Sequence, residues 1–397
     1  MDINLTPAER TFREEFVSWL TEHLPESWKW SEVKRLPPSE AWAIRRAFEQ
    51  RMGEARWLGV AWPLEYGGRG ATLMEQVIYQ EELARLDAPP LPDMVGLQMV
   101  GPTLIEIGTP EQKEQYLAPI IRGEDVWYQG FSEPNAGSDL AGLQLRATRD
   151  GDEWVLNGQK IWGGGAEFAD WGAILARSDA EAPKHRGISF FIVDMKSPGI
   201  TVNYIRQING GREFNEVFFD NVRVPADHIL GGENQGWRVA NRLLTYERGV
   251  ITMSMLVGFQ QLFDELVEYA RATRRNGDRL IDVPHLREAL ARSYTDIQLM
   301  RLANLRWMTR YIRGVPPAEE TSFMKLFWAD TEQGLADVAA LLAGPEALPM
   351  LGAPHALHGG EWVSEWLYSR VASVYGGTQD IQRNIIAERI FGLPRGT

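Results

Sequence analysis

The spacing of apolar residues changes twice along this chain, and these changes constrain its fold more than any other feature. The first part of the chain has helical apolar spacing, which returns after Gly236. Between these parts lie short β-branched and aromatic runs, such as Ile188–Val193, with turns about every ten residues. The pattern predicts an α+β fold with three domains: a helical domain (1-122), a β domain (123-235) and a C-terminal helical bundle (236-397).

Two helix starts in the first domain share one design. Thr6-Pro7-Ala8-Glu9 and Thr109-Pro110-Glu111-Gln112 each place threonine at the N-cap, proline at the first helical position, and Glu or Gln three residues after the cap. Each predicts a helix that begins at the proline. After Gly236, helical spacing continues for about forty residues, to about Arg275, and such a length favours a bundle helix.

In the β domain, Asp150-Gly151-Asp152 and Asn157-Gly158 are typical of tight turns. They flank the run Glu153–Leu156, so the sequence predicts short antiparallel strands here, with Trp162 close behind. No Gly-x-Gly-x-x-Gly motif follows a predicted strand, and a Rossmann cofactor domain is therefore not expected.

Composition excludes several classes of function. The net charge of −13, with no long basic run, argues against nucleic acid as a partner. The absence of cysteine removes disulfides and Cys-ligated metals, which suits a reducing cytoplasm. Neither a signal peptide nor a membrane span is indicated, so we expect a cytoplasmic protein. His355-x-x-His358-x-x-Glu361 has metal-like spacing, but it lies among Gly and Pro, and we predict no metal site.

The segment Gly130–Asp139 combines short hydroxyl side chains, a proline and a Gly-Ser corner. Such a backbone stays open to a ligand, and Trp162 follows at a short distance in sequence. Together they could surround the edge and face of a flat polar ring, which we interpret as a flavin. The alternative is that Ser138 and Asp139 merely cap a turn and that Trp162 fills a core.

Three motifs together resemble those of acyl-CoA dehydrogenases, over nearly the whole chain: Gly130–Asp139, Asn157-Gly158-Gln159-Lys160-Ile161-Trp162, and Tyr375-Gly376-Gly377-Thr378 with Ile381-Gln382-Arg383. The resemblance implies an N-terminal helical domain, a central antiparallel β-barrel domain and a C-terminal four-helix bundle, usually in a tetramer. It also implies FAD, which serves to introduce an α,β double bond into acyl-CoA thioesters, and an electron-transfer flavoprotein as electron acceptor.

The resemblance also assigns residues to the site. Ser132 is expected to place its hydroxyl near flavin N5, and Trp162 to lie against the flavin. Gly164 stands where a flavin-contacting hydroxyl is common in the family. Ser138 and Arg248 are expected to bind substrate. The expected cofactor-binding residues are Gln129, Phe131, Ser132, Ser138, Trp162, Gly164, Thr378 and Asp380.

The catalytic base is not where most of the family has it. The usual glutamate, two residues before Thr378, is replaced by Gly376, whereas a minority of the family carries the base on the first long bundle helix, where this chain has Glu247. Glu247 shares an apolar helix face, and desolvation there is expected to raise its pKa toward that of a general base. The alternative is a structural ion pair between Glu247 and an arginine from another helix. Glu388 is a weaker rival for the base. The apolar face comprises Ala240, Leu243, Leu244, Val250, Ile251 and Met255.

Other departures concern assembly. The family segment Gln-x-x-Gly-Gly-x-Gly, which reaches the adenosine half of a neighbour's FAD, has no match; the region reads Leu351–Gly360. This is similar to a bacterial branch that pairs two different chains and acts on bulky substrates, as in lipid or steroid degradation. We therefore consider both a homo-tetramer and an α2β2 hetero-tetramer. Two further alternatives are a flavin monooxygenase or oxidase on the same fold, and a non-catalytic partner chain.

Overall fold

The computed structural model of the chain describes residues 5-247, 251-313 and 320-394. For residues 247, 251-254, 311, 312 and 320 it describes the backbone only. The first part is helical. Its α-helices are α1 (Pro7–His23), α2 (Trp30–Val33), α3 (Pro38–Glu54), α4 (Leu73–Arg85), α5 (Gly101–Ile107) and α6 (Pro110–Ile121), and a π-helical turn, Gly96–Val100, runs directly into α5.

The predicted helix starts are confirmed. The side chain of Thr6 accepts a hydrogen bond from the backbone N–H of Glu9, and that of Thr109 accepts one from the N–H of Gln112. In return, the side chains of Glu9 and Gln112 accept a hydrogen bond from the backbone N–H of their threonine. Thr72 forms the same capping box at the start of α4. Each box satisfies two backbone groups that the first helical turn leaves unpaired, and these starts are therefore fixed locally.

The middle of the chain forms a β-sheet. Its strands are β1 (Trp127–Gly130), β2 (Arg146–Asp150), β3 (Glu153–Gly164), β4 (Trp171–Arg177), β5 (Ile188–Asp194), β6 (Ile200–Ile205), β7 (Phe214–Pro225) and β8 (Ile229–Leu230). Their spatial order is β6-β7-β3-β2-β4-β5-β8, with β1 paired to β4. Most pairings are antiparallel, but β4 pairs in parallel with both β1 and β2.

The predicted turn at Asn157-Gly158 is wrong. Both residues lie inside β3, where the register against β7 shifts between Leu156 and Gly158. Gly158 has a φ of 142° and its Cα lies so close to Leu145 that an added Cβ would stand 3.0 Å from the Leu145 Cα. The Asn-Gly pair therefore forms a β-bulge, because pairing along the whole of β7 outweighs the local turn preference. The other predicted turn, at Gly151-Asp152, does join β2 to β3.

The last part is helical again. The predicted long helix corresponds to two helices, Gly236–Glu247 and Ile251–Ala272, and residues 248-250 between them lie outside the described part of the structure. The second helix ends before Arg274-Arg275, which form a short strand. The elements are α7 (Gly236–Glu247), α8 (Ile251–Ala272), β9 (Arg274–Arg275), β10 (Asp278–Arg279), α9 (Pro284–Ile312), α10 (Glu320–Ala343), α11 (Glu361–Tyr368) and α12 (Gln379–Ile385).

Alternate residues of β4 and β5 belong to different cores. Ala173 and Leu175 pack with the N-terminal helices, whereas Ile174 and Ala176 point into the interior of the β domain. α7 joins the first of these cores through Val239, Ala240 and Leu243, and the bundle has a core of its own. The helix α7 is thus held between the N-terminal helices and the sheet. No helix within the described residues has both the length and the apolar character needed to cross a bilayer.

Candidate active site

β1 leads directly into the segment that the sequence singled out. Gln129 pairs with Ala173 in β4 and is half-buried. Phe131 is buried and meets the edge of the Phe190 ring, with ring centroids 6.0 Å apart. Ser132 follows, half-buried, and its carbonyl accepts a hydrogen bond of 2.9 Å from the N–H of Ile161. The segment after β1 is therefore tied to β3.

A buried ion pair lies beneath this segment. Lys160 donates to Oε1 of Glu133 over 2.7 Å and to the carbonyl of Phe131 over 3.0 Å, and its side chain has no exposed surface. Glu133 also accepts from the backbone N–H groups of Gln144 and Leu145. Burial lowers the pKa of Lys160 to about 8, against the opposing effect of the Glu133 charge.

Trp162 has an unusual backbone and an exposed ring. Its φ is 70°, in the left-handed region that bulky residues rarely adopt, at a second register shift in β3. The indole is 55% exposed and meets Phe214 edge-on, with centroids 6.4 Å apart. An exposed tryptophan in a strained conformation is typical of a functional site. Its open face and the nearby Ser132 hydroxyl fit a flat, polar ring such as a flavin.

The two glycines after Trp162 differ in their surroundings. A Cβ at Gly163 would lie 2.7 Å from the carbonyl oxygen of Gln129 and closer still to the Tyr128 ring, so a side chain is excluded. Gly164 is exposed, and a Cβ there would lie 3.2 Å from the carbonyl oxygen of Glu213. The end of β1, the segment after it and the end of β3 are therefore close to one another, and they carry Gln129, Phe131, Ser132, Trp162 and Gly164.

The bundle faces this part of the sheet. Burial raises the pKa of Tyr368 to about 12, and the negative charge of Glu213, next to Phe214, adds to the effect. Burial also raises the pKa of Glu365, which is similarly close to Glu213, although the Glu365 side chain is solvent-exposed. Tyr368 and Glu365 of α11 therefore lie within electrostatic range of Glu213, just before β7.

The start of α12 is a tight, glycine-dependent turn. Gly376 and Gly377 have φ values of 63° and 91°, which favour glycine. The buried Gln382 donates to both of their carbonyls, over 3.2 and 3.5 Å. Thr378 caps α12 by accepting from the N–H of Ile381, as predicted. Asp380 is exposed and lies 3.5 Å from Arg383, so its predicted role at a cofactor stays a prediction.

α10 fastens the residues before this turn. Lys325 is buried, donates to the carbonyl of Ala372, and lies 4.9 Å from the centroid of the Tyr375 ring. Burial raises the pKa of Glu332, one helical turn beyond Trp328, to about 7, and the charge of Glu365 adds to the effect. Lys325 therefore holds the residues just before the turn against α10.

α7 presents the predicted apolar face. Ala240 and Leu243 are buried and Leu244 is half-buried. Glu247 is the last residue of α7, but its side chain lies outside the described part of the structure, as do Arg248 and the Val250 side chain. The preceding residue, Tyr246, donates over 2.8 Å to Glu106 of α5.

Ser138 lies on an exposed stretch of the segment after β1. Its neighbour Asp139 forms an ion pair with Lys184, in the loop between β4 and β5. Asp139 thus links this stretch to the β4–β5 loop. The turn-capping alternative is not supported for Asp139, which makes no side-chain cap to the short helical turn that follows it.

The three regions of the chain match three family models: the N-terminal domain of acyl-CoA dehydrogenase over residues 6–124, the middle domain over 129–222 and the C-terminal domain over 234–391. Acyl-CoA dehydrogenase IpdE1 of Mycobacterium tuberculosis is 39% identical over 388 residues, which cover 97% of each chain. The chain belongs to the acyl-CoA dehydrogenase family. It is an enzyme that dehydrogenates acyl-CoA thioesters, as the resemblance implied.

Solved structures agree with the family and the fold. The Tcur3481-Tcur3483 steroid ACAD has a TM-score of 0.88 and 30% identity, and covers 100% of both chains. The ChsE4-ChsE5 complex from Mycobacterium tuberculosis has a TM-score of 0.85 and 30% identity, also over 100% of both chains. Acyl-CoA dehydrogenase FadE29 of the same organism is 33% identical over 397 residues, 100% of this chain and 99% of its own.

Sequence reasoning missed the buried Lys160 and the half-buried Glu332 of this acyl-CoA dehydrogenase. Lys160 follows the buried Trp154 and Leu156 at even spacing along β3, so strand alternation could have identified it as interior. Glu332 lies among apolar helix neighbours such as Trp328 and Leu335, which could have identified it in the same way.

The acyl-CoA dehydrogenase also has a cleft of about 1130 Å³ that contains none of the predicted site residues. It lies on the N-terminal helices, between the end of α3 and α6, and its lining includes Tyr66, Lys113 and Arg122. Its size alone does not make it the active site, because the exposed indole and the glycine turn lie elsewhere.

Proposed function

We propose that this enzyme uses FAD to form the α,β double bond of an acyl-CoA, with Glu247 as the base that takes the α-proton. The observation that carries the cofactor assignment is the exposed face of Trp162, held in a left-handed backbone beside the Ser132 segment. When bound, FAD would supply the acceptor for the β-hydride. Gln129, Phe131, Ser132, Trp162, Gly164 and Thr378 would hold it, and Ser132 would place its hydroxyl near the reactive ring.

The base is assigned by position. Gly376 has no side chain that could take a proton, whereas Glu247 ends a helix whose buried residues, Ala240 and Leu243, pack into the N-terminal core. Tyr246 and Arg242 both bond to Glu106 and fasten the last turn of α7 to α5. A carboxylate on a helix held this way suits proton abstraction in a site that excludes water. Ser138 and Arg248 are proposed to contact the thioester side of the substrate.

For the acyl group we propose a bulky, steroid-like moiety. The Tcur3481-Tcur3483 structure is a steroid ACAD and resembles this chain over its whole length. Gly376 also carries no side chain at the turn before α12. The test is anaerobic reduction of the bound flavin by a series of acyl-CoAs. A steroid side-chain thioester is expected to bleach the flavin fastest, and equal rates with straight-chain thioesters would contradict the substrate assignment.

We further propose that the chain works in a hetero-tetramer with a second, related chain. The ChsE4-ChsE5 structure is a complex of two named proteins, and the steroid ACAD structure likewise carries two protein names, Tcur3481 and Tcur3483. In the segment after α10, Leu348 and Leu351 are 80% and 51% exposed, consistent with a covered surface in an assembly. Co-expression with a neighbouring family member is expected to yield a stable complex that retains more flavin. A homo-tetramer with full flavin content would contradict the proposal.

An electron-transfer flavoprotein is proposed as the acceptor that reoxidises the enzyme. The family resemblance supports it. Steady-state turnover is expected when such a flavoprotein is added, with little peroxide formed in air. Rapid peroxide formation without it would instead indicate an oxidase.

A further inference from the structure

Lys160 is the buried cation closest in sequence to the exposed indole of Trp162. It lies on β3, two residues before Trp162, and none of its side chain is exposed. Burying an ammonium group is costly unless it is paired and hydrogen-bonded. Both conditions are met here, by Glu133 at 2.7 Å and by the carbonyl of Phe131 at 3.0 Å. The ion pair therefore joins β3 to the segment that contains Ser132.

The buried carboxylate of Glu133 has other hydrogen-bond donors besides Lys160. Its two carboxylate oxygens accept hydrogen bonds from the N–H groups of Gln144, over 2.6 Å, and Leu145, over 2.9 Å. Two backbone donors already go far toward satisfying a buried carboxylate. Lys160 adds a third donor and, in addition, a bond to Phe131 that Glu133 cannot make. The contact with the Phe131 carbonyl therefore points to a role of Lys160 toward the neighbouring Ser132.

We propose that Lys160 is a positioning residue for the flavin, which fixes the Phe131–Ser132 backbone and places a positive charge behind it. The inference rests on the proposed use of FAD. A fixed cation stabilises the extra negative charge of reduced flavin more than it stabilises the oxidised form. Removal of the charge therefore lowers the reduction potential of the bound flavin, whereas loss of a merely structural contact would not.

The pKa of Lys160 lies in a pH range in which its loss of charge can be followed. Burial lowers its pKa to about 8, the Glu133 charge and hydrogen bond oppose this, and Arg177 adds to the lowering. Arg177 in turn is close to Asp179, and its guanidinium donates to the carbonyls of Ala141 and Leu143. As pH rises through about 8, Lys160 loses its proton. The flavin potential of the wild type then falls by an additional step that requires no variant to observe.

The test is potentiometric titration of the flavin in the purified holoenzyme across this pH range. Lys160→Met removes the charge, and the double variant Lys160→Met/Glu133→Gln removes the partner charge too, so that no unpaired carboxylate stays buried. Lys196→Met is the matched control, because Lys196 forms an exposed ion pair with Asp170 in the same domain. None of these variants removes a proposed flavin-contacting side chain.

Lys160→Met is expected to bind reduced flavin about tenfold less favourably relative to oxidised flavin, a fall of about 30 mV for a two-electron couple. The double variant removes both charges of the pair and is expected to show a smaller fall. Both variants are expected to lack the step near pH 8. Lys196→Met is expected to match the wild type. A Lys160→Met variant that binds flavin with the wild-type potential at every pH, or a double variant that keeps the step near pH 8, would overturn the inference. Wild-type protein that binds no flavin, either alone or co-expressed with its partner chain, would overturn the FAD assignment itself, and the inference with it.

Discussion

The backbone N–H of Ile161 donates to the carbonyl of Ser132 over 2.9 Å, and together with the bonds of Lys160 it joins the two segments that the flavin is proposed to contact. Trp162 follows Ile161 directly, at a register shift in β3. The backbones of Ser132 and Trp162 are thereby held close to each other. Such preorganisation suits a binding site, because little order has to be gained when the ligand arrives.

The first prediction concerns the left-handed backbone of Trp162. A bulky residue in this conformation costs about 1–3 kcal/mol, and asparagine tolerates it better. In Trp162→Asn, the free energy of unfolding of the flavin-free protein is expected to stay unchanged or rise by up to about 1 kcal/mol. Flavin affinity is expected to fall about tenfold through the lost ring contact. Denaturant unfolding and flavin titration measure the two effects.

The control is Tyr294→Asn, which removes another exposed aromatic, on α9. It should leave flavin affinity unchanged. A marked loss of stability in flavin-free Trp162→Asn would show that the indole serves the core rather than a ligand.

The second prediction separates capping from cofactor binding. Thr378 and Thr109 cap α12 and α6 with the same side-chain bond to the third helical N–H. Replacement of either by alanine is expected to lower the free energy of unfolding by about 1 kcal/mol. Flavin retention should fall in Thr378→Ala and not in Thr109→Ala. If serine at position 378 did not restore retention, the hydroxyl would have no role there.

The third prediction concerns Gly163. A Cβ there would overlap the Tyr128 ring and the Gln129 carbonyl. Gly163→Ala is expected to lower the free energy of unfolding by at least about 1 kcal/mol, because β3 can no longer approach β1. Gly258→Ala, in α8 with open space around it, should instead raise it by about 0.5–1 kcal/mol. A neutral Gly163→Ala, measured by thermal or denaturant unfolding, would contradict the close approach.

The fourth prediction concerns Asp93, a buried acid that bonds to the first residue of β1. Asp93 has no exposed surface and accepts from the N–H of Gly96 and of Trp127, while its Oδ2 finds no partner among the described residues. Burial raises the pKa of Asp93 well above 3.8, and the charge of Glu49 adds to this. The folded state then holds the Asp93 proton more tightly than the unfolded state. The contribution of Asp93 to the free energy of unfolding is therefore greatest at low pH and falls as the pH rises above 3.8.

Asp93→Asn cannot ionise and keeps an oxygen for both N–H donors. Its free energy of unfolding is expected to gain steadily on that of the wild type as pH rises from about 4 toward neutrality. Unfolding measured at a series of pH values checks the trend. Asp220→Asn, at an exposed position in β7, is the control. A difference between Asp93→Asn and wild type that is independent of pH would contradict the account.

Local signals in the sequence were sufficient for some elements. The caps at Thr6 and Thr109 were predicted because both partners of a capping box lie within four residues. The apolar face of α7 was predicted from helical spacing, and Ala240 and Leu243 are indeed buried. The turn at Asn157-Gly158 failed because its conformation depends on β7, which is distant in sequence.

The electrostatic part of the site could not be predicted from local patterns. The state of Lys160 depends on Glu133, and that of Tyr368 on Glu213, which lie far apart in sequence and meet only in the fold. The left-handed conformation of Trp162 arises from a register shift between two long strands. Such features depend on tertiary pairing, which motif spacing does not encode.

The most direct test of the account is the anaerobic half-reaction of flavin-loaded wild type and Glu247→Gln with the acyl-CoA that reduces the wild type fastest. The glutamine keeps the shape of the side chain and loses the base. We predict that the wild type bleaches its flavin, whereas Glu247→Gln keeps its flavin oxidised, with a rate lower by about 10²–10⁴-fold. Flavin reduction by Glu247→Gln at the wild-type rate would contradict the assignment of the base.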